Sequence, residues 1–342
     1  MTQPMRQKIF LLLLATLAHP GESKTVNWPQ FRGPGASGIA EGFETPKKWD
    51  AAADRNLKWK TPIPGLGLSS PVIWGEKVFL TTATSDKQKD SLKIGLYHEI
   101  APVEADGIHE WKLYCINKGT GEIIWEQVCH RGVPKGKRHT KSSHANCTPA
   151  TDGRRVVSFF GSEGLYCHDM DGVLLWKKDF GNLDAAFFRV PRAQWGFASS
   201  PIIHEGVVLI QCDVLENSFL AALKLENGKV IWKKARNDLP AWSSPAVHGE
   251  GDKTQIVVNG YRHIGGYDFH TGSELWRFQG GGDIPVPTPI TGHGLAFITN
   301  AHGRMAPIYA IRLDSRGDIS LKGSATSSDQ VPWSTRRGGA YM

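Results

Sequence analysis

The chain has 342 residues, of which 40% are hydrophobic and 21% charged, a balance that excludes a disordered chain and a multi-span membrane protein. A formal charge of +7 allows an acidic partner, but the basic run over residues 131–141 lacks aromatic interleaving, so it reads as a solvated loop rather than a nucleic-acid surface. Five cysteines without a Cys-x-x-Cys pair exclude a scaffold built from disulfides.

The first element is a leader. Arg6 and Lys8 precede an apolar run over residues 9–14 and then Ala15-Thr16-Leu17-Ala18, the order of a secretory signal and too short for a spanning helix. Cleavage is expected at Ala18 or Ser23, which makes residues 1–23 a signal peptide and places the protein in the periplasm or outside the cell. No membrane span is expected.

From there the sequence repeats. A Ser/Thr-Pro anchor recurs at Ser70-Pro71, Thr148-Pro149, Ser200-Pro201, Ser244-Pro245 and Thr288-Pro289. A Gly-x-x-x-Trp anchor closes each unit at Gly121/Trp125, Gly172/Trp176, Gly228/Trp232 and Gly272/Trp276, with a weaker fifth copy at Gly317/Leu321. Four units share the separation between anchors, and the first carries an insertion over residues 84–110. Within a unit, short alternating strands such as residues 207–210, 219–223 and 229–232 flank turns of the Glu226-Asn227-Gly228 kind. Each unit is expected to be a four-stranded antiparallel sheet. Such a sheet cannot bury both faces alone, so stacked sheets form an all-β propeller over residues 24–342. The blades fall at 66–127, 145–178, 197–234, 241–278 and 285–323.

The tryptophans divide by position. Trp125, Trp176, Trp232 and Trp276 fill the space between neighbouring blades, and Trp59 reads as another outer-strand Trp without strands of its own. An N-terminal strand of that kind closes a ring, but the missing Ser/Thr-Pro strand after the fifth unit favours a C-terminally truncated ring instead. Cys115 and Cys167 occupy the small-residue slot held by Ala222, Gly266 and Ala310, and are expected to be buried thiols. Cys129, Cys147 and Cys212 have no assigned role. His139 and His144, five residues apart on a loop, make no metal site.

Residues 114–125, Tyr-Cys-Ile-Asn-Lys-Gly-Thr-Gly-Glu-Ile-Ile-Trp, and residues 265–276 are similar to the tryptophan-docking motif of pyrroloquinoline-quinone (PQQ) quinoproteins. Asn27-Trp28-Pro29-Gln30-Phe31-Arg32-Gly33-Pro34 also resembles the opening of exported PQQ-like propeller proteins of planctomycete bacteria. The family includes alcohol and glucose dehydrogenases that use PQQ with Ca²⁺, and propellers that only bind proteins, so the resemblance implies a fold more than a reaction. The vicinal Cys-Cys of the dehydrogenases is absent here.

Candidate ligand residues come from the repeat register. Ser162, Asp213, Asn259 and Asn300 follow equivalent strands, whose ends converge near a propeller axis. Arg262, His263, His302 and Arg304 lie beside them and would suit an anionic group. Trp195 and Trp242 lie outside the docking slot and could stack on a planar or sugar-like ligand. The leading expectation is an exported, monomeric, non-catalytic scaffold for a small anionic or sugar-like ligand or an envelope protein. The alternatives are a PQQ-dependent dehydrogenase of alcohols or sugars, with PQQ and Ca²⁺ as cofactors, and an envelope protein-assembly scaffold.

Overall fold

A computed structural model describes residues 27–42, 45–87, 92–93, 101–190, 193–280, 282–302 and 306–339. The expected leader, residues 1–23, and Arg304 lie outside them. The described residues form an all-β propeller of five sheets. Blade 1 comprises β1 (Val72–Trp74), β2 (Lys77–Ser85), β3 (His109–Asn117) and β4 (Ile123–Gly132). Blade 2 comprises β5 (Ala150–Thr151), β6 (Arg155–Phe159), β7 (Leu165–Asp169) and β8 (Leu174–Lys178). Blade 3 comprises β9 (Ile202–His204), β10 (Val207–Cys212), β11 (Phe219–Lys224) and β12 (Val230–Ala235). Blade 4 comprises β13 (Ala246–His248), β14 (Gln255–Val258), β15 (His263–Asp268) and β16 (Glu274–Gln279). Blade 5 contains β17 (Ile290–Gly292), β18 (Leu295–Thr299) and β19 (Ile308–Arg312); after β20 (Gly317–Asp318), β21 (Trp333–Thr335) completes it.

The core lies between the sheets. Val157, Phe159 and Leu165 of blade 2 pack against Val208, Ile210 and Phe219 of blade 3, and Leu209 and Leu220 on the opposite face of blade 3 pack against Ile256 and Val258 of blade 4. The middle strands are therefore buried on both faces. The alternation expected for residues 207–210 and 219–223 is thereby corrected: Val208 to Cys212 and Phe219 to Leu223 are buried residue after residue, because both faces of these strands meet a neighbouring sheet.

Both sequence anchors are inter-blade fasteners. Thr148 Oγ1 accepts the Ser70 N–H at 2.9 Å, Ser200 Oγ accepts the Thr148 N–H at 3.0 Å, and Ser244 Oγ accepts the Ser200 N–H at 2.9 Å. These bonds run from blade to blade along the inner strands and use a hydroxyl that only Ser or Thr supplies there. At the outer edge each indole donates to a backbone carbonyl in the next blade's turn: Trp125 to Met170 O (3.1 Å), Trp176 to Leu225 O (2.8 Å) and Trp232 to Phe269 O (3.0 Å). Trp59 does the same to Lys118 O of blade 1 at 2.9 Å.

The junction between blades 4 and 5 departs from this pattern. Trp276 donates to Gln255 Oε1 at 3.1 Å, and Gln255 Nε2 passes the link to Leu313 O at 2.8 Å. The fourth strand of blade 5 is not the stretch around Leu321, so the expected limit of that blade at residue 323 is corrected to include β21. Gly317 and Asp318 pair in parallel with Trp276 and Arg277 of blade 4, while Trp333 sits opposite Ala310. That is the relation of Trp125 to Cys115, Trp176 to Cys167, Trp232 to Ala222 and Trp276 to Gly266. Cys115 and Cys167 thus occupy the small slot, and all five cysteines are free thiols. Because β21 fills the outer position of blade 5, Trp59 does not complete that sheet.

A strap from the N-terminal segment crosses the inner strands. Trp28 and Ile73 of blade 1 exchange backbone hydrogen bonds at 2.8 Å. Thr151 of blade 2 donates to Pro29 O, and Ile203 of blade 3 donates to Gln30 Oε1. The short helical turn Pro34–Ala36 then packs on β13 of blade 4.

Candidate ligand site at the propeller axis

The starts of the inner strands converge on a cavity of about 530 Å³, a size suited to a small organic ligand. Thr148, Ser200 and Ser244 of the hydroxyl belt line it, which places it at the axis, and Phe31 of the strap reaches it as well. Its walls are mostly apolar, through Leu68, Ile284, Val286, Trp195 and Trp242. The polar side comes from His139, Lys141, Ser142 and Asn146 on the loop between blades 1 and 2.

Trp195 and Trp242 are held in place by their surroundings. Their ring centroids lie 4.8 Å apart with planes tilted by 43°, and Trp195 stacks on Phe187 at 5.0 Å and 8°. Trp242 Nε1 donates to Gly196 O at 2.9 Å, and its backbone N–H donates to Pro285 O. Phe187 belongs to a hairpin in which Ala186 pairs with Gln194. Arg189 ties that hairpin to Asp283 at 2.9 Å. Two large indoles fixed in this way present rigid apolar surface at little entropic cost.

Beside them, His139 Nδ1 accepts the Lys141 N–H at 3.0 Å. Burial, with Lys141 nearby, pushes the His139 imidazole below its ordinary value, so it is neutral at pH 7.

Asp213, Asn259 and Asn300 come together at the blade ends but do not line this cavity. All three are fully buried; Asn259 and Asn300 bond each other directly, and Gln211 links Asp213 to Asn259. Gln211 Nε2 donates to Asp213 Oδ2 at 2.7 Å and to Asn259 O at 2.8 Å; Asn259 Nδ2 donates to Asn300 Oδ1 at 3.0 Å. Arg236, which the sequence did not single out, sits at the centre of this region. Its Nε donates to Asp213 Oδ1 at 2.7 Å, and its two terminal nitrogens donate to Asp238 Oδ2 at 3.1 Å and the Tyr267 hydroxyl at 2.7 Å. Arg262 bonds Asn237 at the surface, and His263 Nε2 lies 3.0 Å from Arg236 O. His302 stands edge-on to Phe187 with Nδ1 3.6 Å from Asp283 Oδ2. Ser162 Oγ meets Asn182 at 3.2 Å and lines a different, smaller cavity.

A calcium-dependent quinone does not fit the axial cavity. Ca²⁺ takes six to eight oxygen ligands with carboxylates among them, and no Asp or Glu is found among the described residues that line the cavity. The cysteines, all free thiols, also supply no vicinal disulfide.

A second ionisable feature lies beneath the same loop. His144 is half-buried against Trp111 and His109, and its buried Nε2 has no hydrogen-bond partner among the described residues. Burial, reinforced by His109 and Arg138, pushes its pKa down from 6.5 to about 3, and burial takes His168 to about 4. The unfolded chain therefore binds protons that the folded chain refuses between pH 6.5 and these lower values. Stability is fully present above pH 6.5 and is lost as the pH falls, by up to about 1.4 kcal/mol per pH unit for each such histidine. Urea midpoints measured from pH 7.5 to 4.5 should fall across that window, and His144→Asn should flatten the slope. A wild-type midpoint independent of pH below 6.5 would contradict this assignment.

The stacked four-stranded blades, hydroxyl belt and indole docking define the chain as a PQQ-type β-propeller. A family model described as outer membrane protein assembly factor BamB matches residues 109–278 and 163–312, and the chain belongs to that family of propeller repeats. It is 23% identical over 280 residues to tetrathionate hydrolase of Acidithiobacillus ferrooxidans, an alignment covering 72% of this chain and 52% of that protein. The chain thus spans about half the length of that relative. Among solved structures it is similar to BamB from Moraxella catarrhalis, at 13% identity and a TM-score of 0.41 over 75% of this chain and 73% of that one. It is also similar to quinohemoprotein alcohol dehydrogenase from Comamonas testosteroni, at 14% identity and a TM-score of 0.49 over 86% of this chain and 48% of that one.

Proposed function

We propose that this protein is an exported, non-catalytic binding propeller that holds a small planar or sugar-like ligand with an anionic group in its axial cavity. The observation that carries this reading is the pairing of Trp195 and Trp242 as a fixed aromatic wall with Lys141 and neutral His139 on the facing loop. The ligand's apolar face would lie on the indoles, and its charge would face the lysine.

Titration of intrinsic tryptophan fluorescence with glucuronate, and separately with PQQ with and without Ca²⁺, tests this. A saturable change that does not require Ca²⁺, with no reduction of an artificial electron acceptor by alcohols or sugars in the presence of PQQ and Ca²⁺, is the expected result. Acceptor reduction would overturn the reading in favour of a dehydrogenase. A second reading, assembly of envelope proteins, is favoured by the family match and requires a specific envelope protein that co-purifies independently of either probe.

A further inference from the structure

A second cavity of about 210 Å³ adjoins the axial one, and Gly196 lines both. The divide between them is the bend around Ser142 to Asn146. Ser142 and Asn146 face the axial side, whereas Ser143 and His144 face the other. Asn146 fixes this bend by accepting from the Ser143 hydroxyl at 2.8 Å and donating to Phe197 O at 3.1 Å. The two spaces thus meet over a glycine beside a rigid corner.

Their chemistry differs in an informative way. The axial cavity is aromatic and apolar, whereas the second is lined by Ser162, Asn182, Gln194 and the carboxyl groups of Glu163 and Asp184, groups that exchange hydrogen bonds with hydroxyls. His144, whose Nε2 has no hydrogen-bond partner among the described residues, lines this second space. Cations accompany both cavities: Lys141 at the axial one, and Lys135 and Lys137 at the other. Lys135 is pinned to Ser162 O at 2.7 Å, whereas Lys137 is half-exposed and, among the described residues, pairs with exposed Glu104 at 2.7 Å. An exposed pair of that kind is worth little and exchanges readily for a ligand anion.

A chain of sugar rings has matching alternation, with apolar ring faces that stack on indoles and hydroxyl edges that need polar partners. Regularly spaced carboxylates would add a charge near each lysine. We propose that the two cavities form one extended site for an acidic oligosaccharide of uronate type. One ring would rest on Trp195 and Trp242, the chain would pass over Gly196, and the next ring would enter the Ser162/Asn182 cavity with its carboxylate at Lys137. This rests on the axial cavity being a ligand site, as proposed above, and adds the ligand class and its second subsite.

Isothermal titration of the full chain with galacturonate, tetragalacturonate and neutral cellotetraose tests it. Tetragalacturonate should bind at least ten-fold more tightly than the monomer, more tightly than cellotetraose, and less tightly as salt is raised. Lys137→Ala should bring the tetramer close to monomer affinity while leaving monomer binding and the thermal midpoint unchanged. Equal affinity for tetramer and monomer would overturn the two-cavity site and leave the axial reading standing. Cellotetraose binding as tightly as tetragalacturonate would overturn the acidic class. If galacturonate, tetragalacturonate and PQQ all fail to bind, the axial reading falls together with this one.

Discussion

Replacing Arg236 with Met should destabilise the protein by about 3–5 kcal/mol, the loss expected when one partner is removed from a buried ionic cluster. The guanidinium and the carboxylates of Asp213 and Asp238 are completely shielded from solvent. Among the described residues it is the only cation bridging them, and it also donates to the Tyr267 hydroxyl. Without it, two buried carboxylates remain about one centre, and at least one must take a proton or draw in water. In the wild type, burial already pushes Asp213 upward while Arg236 opposes that shift.

In the variant the carboxyl would titrate higher than in the unfolded chain, so the folded state would hold more protons. Its stability should then rise, relative to wild type, as the pH falls from 7 to 5. Urea denaturation of both proteins at the two pH values checks this. Arg236→Lys should recover only part of the loss, because a point charge cannot reproduce the fork that reaches Asp213, Asp238 and Tyr267 together. A loss below about 1 kcal/mol for Arg236→Met, or a deficit that grows on acidification, would show that the cluster does not hold blades 3 and 4 together.

This cluster also marks where reading the sequence stopped. Asp213, Asn259 and Asn300 could be placed near one another because each follows an equivalent strand in the repeat. That their polar atoms are satisfied internally depends on Gln211, Arg236 and Asp238, which occupy no repeating position. A register argument locates strand ends, but it cannot say which side chain from elsewhere will meet them. Trp195 and Trp242 were legible for the opposite reason, since each lies outside the docking slot that accounts for the other tryptophans.

The fold was readable because both anchors have a physical function that restricts the residue type. The inner belt needs a hydroxyl, and the outer turn needs a glycine next to an indole. Blade 5 was misread at its outer strand because the spacing from Thr288-Pro289 to Gly317 looks regular. The chain between β19 and β21 instead sends Gly317 and Asp318 to the edge of blade 4. Spacing alone does not distinguish an insertion from a docking strand that has lost its Trp.

That distinction is measurable. Gly228 and Gly317 both have positive φ, at 70° and 75°, so alanine at either site incurs the left-handed backbone strain of about 1–2 kcal/mol. They differ in what a methyl group would meet. At Gly228 it would lie 2.7 Å from Trp176 Cε3, whereas no atom of the described residues lies within 4 Å at Gly317. Gly228→Ala should therefore cost about 1–3 kcal/mol more than Gly317→Ala, the range for overfilling a packed contact. It should also red-shift tryptophan emission as the Trp176 indole is displaced from Leu225 O. Trp176→Leu combined with Gly228→Ala should lose less than the two single changes together, because the shorter side chain leaves room for the methyl. Equal losses for the two alanine variants, or strict additivity in the pair, would mean that these glycines are required by the turn alone and that indole docking does not select them.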